Sequence, residues 1–157
     1  MLREGDDMSN VIKTAMIVTI VLCVVIGAVY FTMNSKSIDP NGQMKLVTDK
    51  NSVISPSGAY LLKMKTDEVN RIKGFRISIY SYPDNDEIFI SEDFYRLRDV
   101  SYLLWGERDI IWLYNGDLGT FFWELDDGLW EKKAYVDNQE SVEIPQLLKE
   151  LRPSIFK

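Results

Sequence analysis

The sequence predicts a mainly β protein: one amino-terminal transmembrane helix, then an antiparallel β-meander, blade-like sheet domain with a short carboxy-terminal helix. Three observations predict it. Thr14–Met33 (TAMIVTIVLCVVIGAVYFTM) runs twenty residues without a charge. As an α-helix rising about 1.5 Å per residue it spans roughly 30 Å, the hydrocarbon thickness of a bilayer. From about Met44 the apolar period changes to two, as in a half-buried strand. Beyond it, short apolar runs recur near every tenth residue with turn formers between them, the pattern of an antiparallel all-β domain.

The elements follow in order. Residues 1–13 form a short polar tail, 14–33 the transmembrane helix, 34–43 (NSKSIDPNGQ) a turn-rich linker, and 44–157 the β domain. A cleaved signal peptide has an apolar region of roughly 7–15 residues ending in a small-x-small site. This run is longer and leaves through bulky Tyr30-Phe31-Thr32-Met33, so an uncleaved anchor is expected. Leu22 ahead of Cys23 does not suit a lipoprotein, which leaves Cys23 as a small apolar group in the span. Lys13 abuts the run, whereas Lys36, Lys45 and Lys50 are spread beyond it. By that narrow positive-inside margin, and the brevity of the tail, the amino terminus lies in the cytoplasm. The β domain is then extracytoplasmic, on a single-pass bacterial cell-membrane protein.

Within the domain, Tyr60, Leu62 and Met64 alternate with Leu61, Lys63 and Lys65, and Phe75, Ile77 and Ile79 with Arg76, Ser78 and Tyr80. Ile88–Ile90, Leu103–Trp105, Ile110–Tyr114, Thr120–Leu125 and Leu129–Tyr135 supply further strands. Turns are expected at Ser55–Gly58, Pro83–Asp86, Asn115–Asp117 and Asp126–Gly128, where Asn-Gly and Asp-Gly supply positive φ. Pro145 and a Leu147/Leu148/Leu151 stripe give two helical turns that pack on the sheet, stopped by Pro153.

Composition excludes whole classes of chemistry. The chain has no histidine, which removes Ser-His-Asp and Cys-His nucleophiles and every His-ligated metal site. Its one cysteine lies in the span, so the domain has no disulfide framework and no thiolate site. Setting aside Arg3, Lys13, Glu4, Asp6 and Asp7 leaves 16 Lys+Arg against 21 Asp+Glu past the span. An acidic domain without a basic stripe does not suit nucleic acid. Asp84–Glu87 and Asp126-Asp127 lack the oxygen spacing and bend glycine of a calcium loop and read as solvated turns. Glu124, Asp126, Asp127 and Glu131 fall at a turn, and no catalytic role is assigned to them. No enzyme, cofactor or metal is expected.

Two segments, SPSGAYLLKM…FRISIYSYPDNDEIFIS within Ser55–Ser91 and LLWGERDIIWLYNGDLGTFFWELDDGLWEKK (Leu103–Lys133), resemble blades of the β-propeller and WD-repeat type. A propeller closes with about four blades, and this chain has room for two, so the resemblance implies a blade-like twisted sheet or two packed meanders. By layout alone (tail, span, compact acidic cysteine-free β domain), the chain also resembles the small membrane-anchored immunity proteins of bacterial toxin systems. That likeness implies a protein partner bound outside the cytoplasm and transfers no site residues.

The densest local signal is aromatic. Trp105, Trp112, Tyr114, Phe121, Phe122, Trp123 and Trp130 lie close in sequence, and alternation puts apolar side chains on both faces of their hairpin. Such a sheet needs cover on both sides, and the terminal helix can supply one. Core packing is the first reading of these side chains and a partner surface the second; on the second, Trp112, Tyr114, Phe122 and Trp130 are the candidate partner-binding residues. Lys132-Lys133, Arg96 and Arg98 are the local basic density and the first candidates for rim contacts. The expected partners are the bilayer, through 14–33, and a protein bound by the domain; the alternative reading is a structural or regulatory subunit of a membrane complex, in which the helix itself makes the specific contacts.

Overall fold

The computed structural model describes residues 44–156 together with Thr19. The tail, the linker and the expected transmembrane helix, Thr19 apart, lie outside the described residues. Among the described residues, no helix is long and apolar enough to cross a membrane. The domain is mainly β, with two antiparallel sheets and one short carboxy-terminal helix, as the periodicity indicated.

The first sheet is a meander of β2 (Val53–Ile54), β3 (Tyr60–Val69), β4 (Ile72–Ser81) and β5 (Glu87–Ile90). Beside β5, β6 (Tyr95–Arg96) continues along the same strand β4. Ser91 keeps that interrupted edge hydrogen-bonded, because its backbone donates to Ile77 O at 2.8 Å and its Oγ accepts from Ile77 N at 3.0 Å. The second sheet has the order β1 (Leu46–Val47), β7 (Ser101–Trp105), β8 (Ile111–Asn115), β9 (Gly119–Asp126), β10 (Leu129–Ala134). Helix α1 (Gln146–Leu151) follows, entered from Pro145, whose missing N–H is harmless at a helix start.

Turn chemistry explains the registers. Asp127 (φ 45°) and Gly128 (φ 82°) both take positive φ between β9 and β10, as a two-residue hairpin turn demands. Between β8 and β9 the positive φ falls on Gly119, not on Gly116 as Asn-Gly suggested. There the buried Asn115 side chain makes the turn itself, its Oδ1 accepting from Asp117 N at 3.1 Å and Leu118 N at 2.9 Å. The long β3–β4 hairpin turns on Asn70 (φ 52°) and Arg71 (φ 67°).

Each face of the second sheet meets a different cover. Leu103, Trp105, Ile111, Leu113 and Trp123 pack against Leu62, Phe75, Ile77 and Ile79 of the first sheet to form the main core. Trp105 Nε1 donates to Val53 O at 2.8 Å, so the buried indole keeps its polar atom satisfied while joining the sheets. On the reverse face, Leu104, Trp112, Tyr114 and Phe122 form a second core with Ile144 and Leu148. At the far side of the first sheet, Phe94 lies across Gly74, where a Cβ would come within 2.3 Å of the ring.

Two outcomes follow. Gly74→Ala forces Phe94 off β4 and is expected to cost about 1–3 kcal/mol, measured by urea denaturation. Lys65 and then Tyr80, each hydrogen-bonded to Glu87, hold its carboxyl below its ordinary value. A lowered folded-state value contributes stability above the unfolded value and loses it as pH falls through the folded one. Glu87→Gln is therefore expected to flatten the loss of stability between about pH 5 and pH 3, a small effect because the pair is exposed.

Candidate binding surface

The predicted aromatic residues divide between the two faces. Trp112 stacks on Phe122 at 5.2 Å and meets the edge of Tyr135 at 5.7 Å. Tyr114 stacks on Tyr102 at 5.8 Å and meets Phe156 at 6.1 Å. The Arg152 guanidinium lies 5.1 Å from the Tyr114 ring and 5.4 Å from Tyr102, held by ring faces. Trp112, Tyr114 and Phe122 are thus buried core side chains beneath residues 135–156. The reason is the one that drew attention to them: an apolar reverse face cannot stay wet, and the carboxy-terminal segment covers it. Trp130 sits on the opposite face, half-buried against Tyr60 (5.4 Å) and Trp105 (6.0 Å).

Most of the basic candidates are engaged within the domain. Lys132 Nζ donates to Asp93 Oδ2 at 2.8 Å and lies 3.9 Å from the Phe121 ring centre, clamping β10 to the loop before β6. The Tyr95 hydroxyl donates to the same carboxylate, and burial, with that negative charge, pushes its phenol far up. Lys133 pairs with Glu124, which stands directly across from Glu131, so the ion pair offsets a like-charge contact. Arg96 bridges Asp99 (2.7 Å) and Asp117 (2.5 Å), tying β6 to the β8–β9 turn. Arg98 is mostly exposed, 3.7 Å from Asp99. Among the described residues, no group of three or more His, Cys, Asp or Glu side chains is placed to hold a metal ion.

The strand directions define two ends. Met44 enters beside Glu107, Arg108 and Ile110, with the Ser55–Tyr60, Tyr82–Asp86 and Asp126–Leu129 turns at the same end. The opposite end carries the β3–β4 tip, the loop after β6, the β8–β9 turn and the 3-10 turn Tyr135–Asp137. Exposed aliphatic side chains concentrate there: Val69, Ile72, Leu97, Val100, Leu118 (59% exposed), Val136 (71%) and Ile155 (52%). A groove of about 580 Å³ runs between β9–β10 and the carboxy-terminal segment, lined by Leu118, Phe121, Tyr135, Val136, Ile155 and Phe156. A second cleft of about 310 Å³ lies between the β3–β4 tip, Phe94 and Arg96. Leu118 borders both, joining them into one surface.

Local structure builds this surface. Asn115 fixes the turn that turns Leu118 outward, Gly116 N holds the Val100 carbonyl at 2.9 Å, and Leu97 N donates to Lys73 O at 3.1 Å. Tyr135 turns into the second core and Asn138 Nδ2 caps Ala134 O at 2.8 Å, leaving Val136 outside. Phe121, Arg96, Arg98 and the Asn115–Asp117 turn stood out in the sequence, but the exposed aliphatic side chains of this end did not. The available signal was Val69 and Ile72 bracketing Asn70-Arg71, a hairpin turn in two residues. No known protein family, curated protein or solved structure matches the chain.

Leu148 is fully buried and anchors the carboxy-terminal cover. Leu148→Ala is expected to cost about 2–5 kcal/mol by chemical denaturation. It should also red-shift tryptophan emission as water reaches Trp112.

Proposed function

We propose that the chain is a membrane-anchored protein-binding module, its bilayer anchor being Thr14–Met33 and its β domain lying outside the cytoplasm. The observation that carries the binding assignment is the concentration of exposed aliphatic side chains at the end remote from Met44. Contiguous apolar surface of this kind marks interaction sites, because scattered single residues would need no explanation but a joined groove and cleft do. The groove is of the size that accepts side chains of a partner segment, since binding pockets run about 300–1,000 Å³. The immunity-protein layout agrees with a protein partner, and an accessory role beside a membrane complex uses the same surface.

Site-specific photocrosslinking tests the reading. A photoreactive residue replacing Val136 or Leu118 is expected to capture a discrete protein in host cells. The same residue replacing Leu129, equally exposed but at the Met44 end, is expected to capture none. Equal capture at all three positions, or at Leu129 alone, defeats the assignment. Deleting residues 14–33 should release the chain from the membrane fraction.

A further inference from the structure

We propose that the outer half of β3, residues 63–69, is a pairing edge for the same strand of a second copy of this chain, the two running antiparallel about Thr66. The proposal stands apart from the binding-module reading. The β3–β4 turn is two residues long, Asn70-Arg71, both at positive φ, so Val69 and Ile72 exchange backbone hydrogen bonds. Asp67 with Gly74 and Lys65 with Arg76 repeat the exchange at every second pair of the ladder. The backbone groups of Met64, Thr66 and Glu68 therefore point away from β4. On that side β2 pairs with Leu61 and Leu62, and among the described residues no strand pairs with the rest. Thr66, Asp67 and Glu68 are exposed.

Open edges are blunted by shortness, bulges or inward charges, and the other edges of this domain carry such devices. β1, β2 and β6 have two residues each, β5 is bulged opposite Ile79 and Tyr80, and β10 turns the charged Lys132 inward to Asp93. The outer half of β3 is longer and unbulged, and its charges alternate in sign on one face: Lys65 and Asp67, with Thr66 between them. Antiparallel pairing about Thr66 sets Lys65 across from Asp67 of the second copy, and Asp67 across from its Lys65. Both are non-hydrogen-bonded pairs, where side chains stand closest. Thr66 then meets Thr66, and Met64 meets Glu68 on either side, giving about six new backbone hydrogen bonds. Sliding one strand by two residues puts Lys65 across from Lys65, or Asp67 across from Asp67, so charge selects one register. At β10 the register that pairs Glu131 with Lys133 sets Lys132 against Lys132. The charged groups are placed for the pairing. Lys65 Nζ is held by Glu87 at 2.9 Å from the β5 side and keeps further donors. Asp67 has no ion-pair partner among the described residues; its Oδ1 accepts from the outward Glu68 N at 2.7 Å, a local bond that a second strand replaces.

The test is disulfide trapping in the full chain, with Cys23→Ala, in detergent solution under mild oxidation. Thr66→Cys places two cysteines across the twofold and is expected to give at least about tenfold more cross-linked dimer than Glu131→Cys at the β10 edge. Asp67→Lys added to Thr66→Cys sets Lys65 against a lysine, and Lys65→Asp added to Thr66→Cys sets an aspartate against Asp67. Each of these variants alone is expected to lose the cross-link, and an equal mixture of the two is expected to regain it, because both charge pairs are then opposite in sign. Their melting temperatures report that the fold is retained. Equal cross-linking at Thr66 and Glu131 indicates collision alone and overturns the proposal. Cross-linking of either charge variant by itself at the level of the mixture overturns it too. So does a dimer whose Thr66 cysteines stay unjoined, as association through residues 14–33 alone would give.

Discussion

A sheet that is apolar on both faces has to be covered twice, and the rest of this domain follows from that. β7, β8 and β9 alternate Leu103, Trp105, Ile111 and Trp123 on one side with Leu104, Trp112, Tyr114 and Phe122 on the other. Neither set can be left in water, since burying a large aromatic or aliphatic side chain is worth about 1.5–3 kcal/mol. The first meander covers one face. The carboxy-terminal segment, through Ile144 and Leu148, covers the other. A six-residue helix suffices because aromatic side chains of the sheet and of Tyr135 and Phe156 fill the remaining volume.

That double cover decides which apolar side chains remain exposed. The aromatic hairpin, whose composition resembles an interface, is consumed by the interior, and its outward cations are tied to Asp93 and Glu124. Most of the exposed aliphatic groups among the described residues are left by the connections at one end, where the β3–β4 tip, the Leu118 turn and the 3-10 turn border the groove and cleft. The Arg96 bridge from Asp99 to Asp117 holds two of these connections together. Rigid strands thus present the exposed connections of the chain, a common division of labour between scaffold and loops.

The sequence made the period-two strands legible, since Leu62, Ile77 and Ile79 alternate cleanly with polar neighbours. It also showed that both faces of the Trp112–Trp130 hairpin are apolar, and that the terminal leucines could cover one. What it could not show is which of two apolar faces finds cover, because alternation assigns a side chain to a face and says nothing of what lies above it. Trp112, Tyr114 and Phe122 are indistinguishable in pattern from Trp123, and only tertiary packing places all four inside. The end surface was hidden for a different reason. Val69, Leu118 and Val136 are far apart in the chain and come to border the joined cleft and groove only when the chain folds. Asn70-Arg71 also escaped notice, since arginine is not the residue expected at a positive φ.

The proposed reading joins a bilayer anchor at residues 14–33 to a contact surface of the β domain outside the cytoplasm. The measurement that tests it most directly is labelling of a cysteine placed at Leu118, in a chain whose native Cys23 is replaced by alanine, with a membrane-impermeant maleimide on intact cells. Labelling before lysis, at a level unchanged by lysis, is the predicted result. Labelling only after the membrane is breached would put the contact face in the cytoplasm and contradict the account.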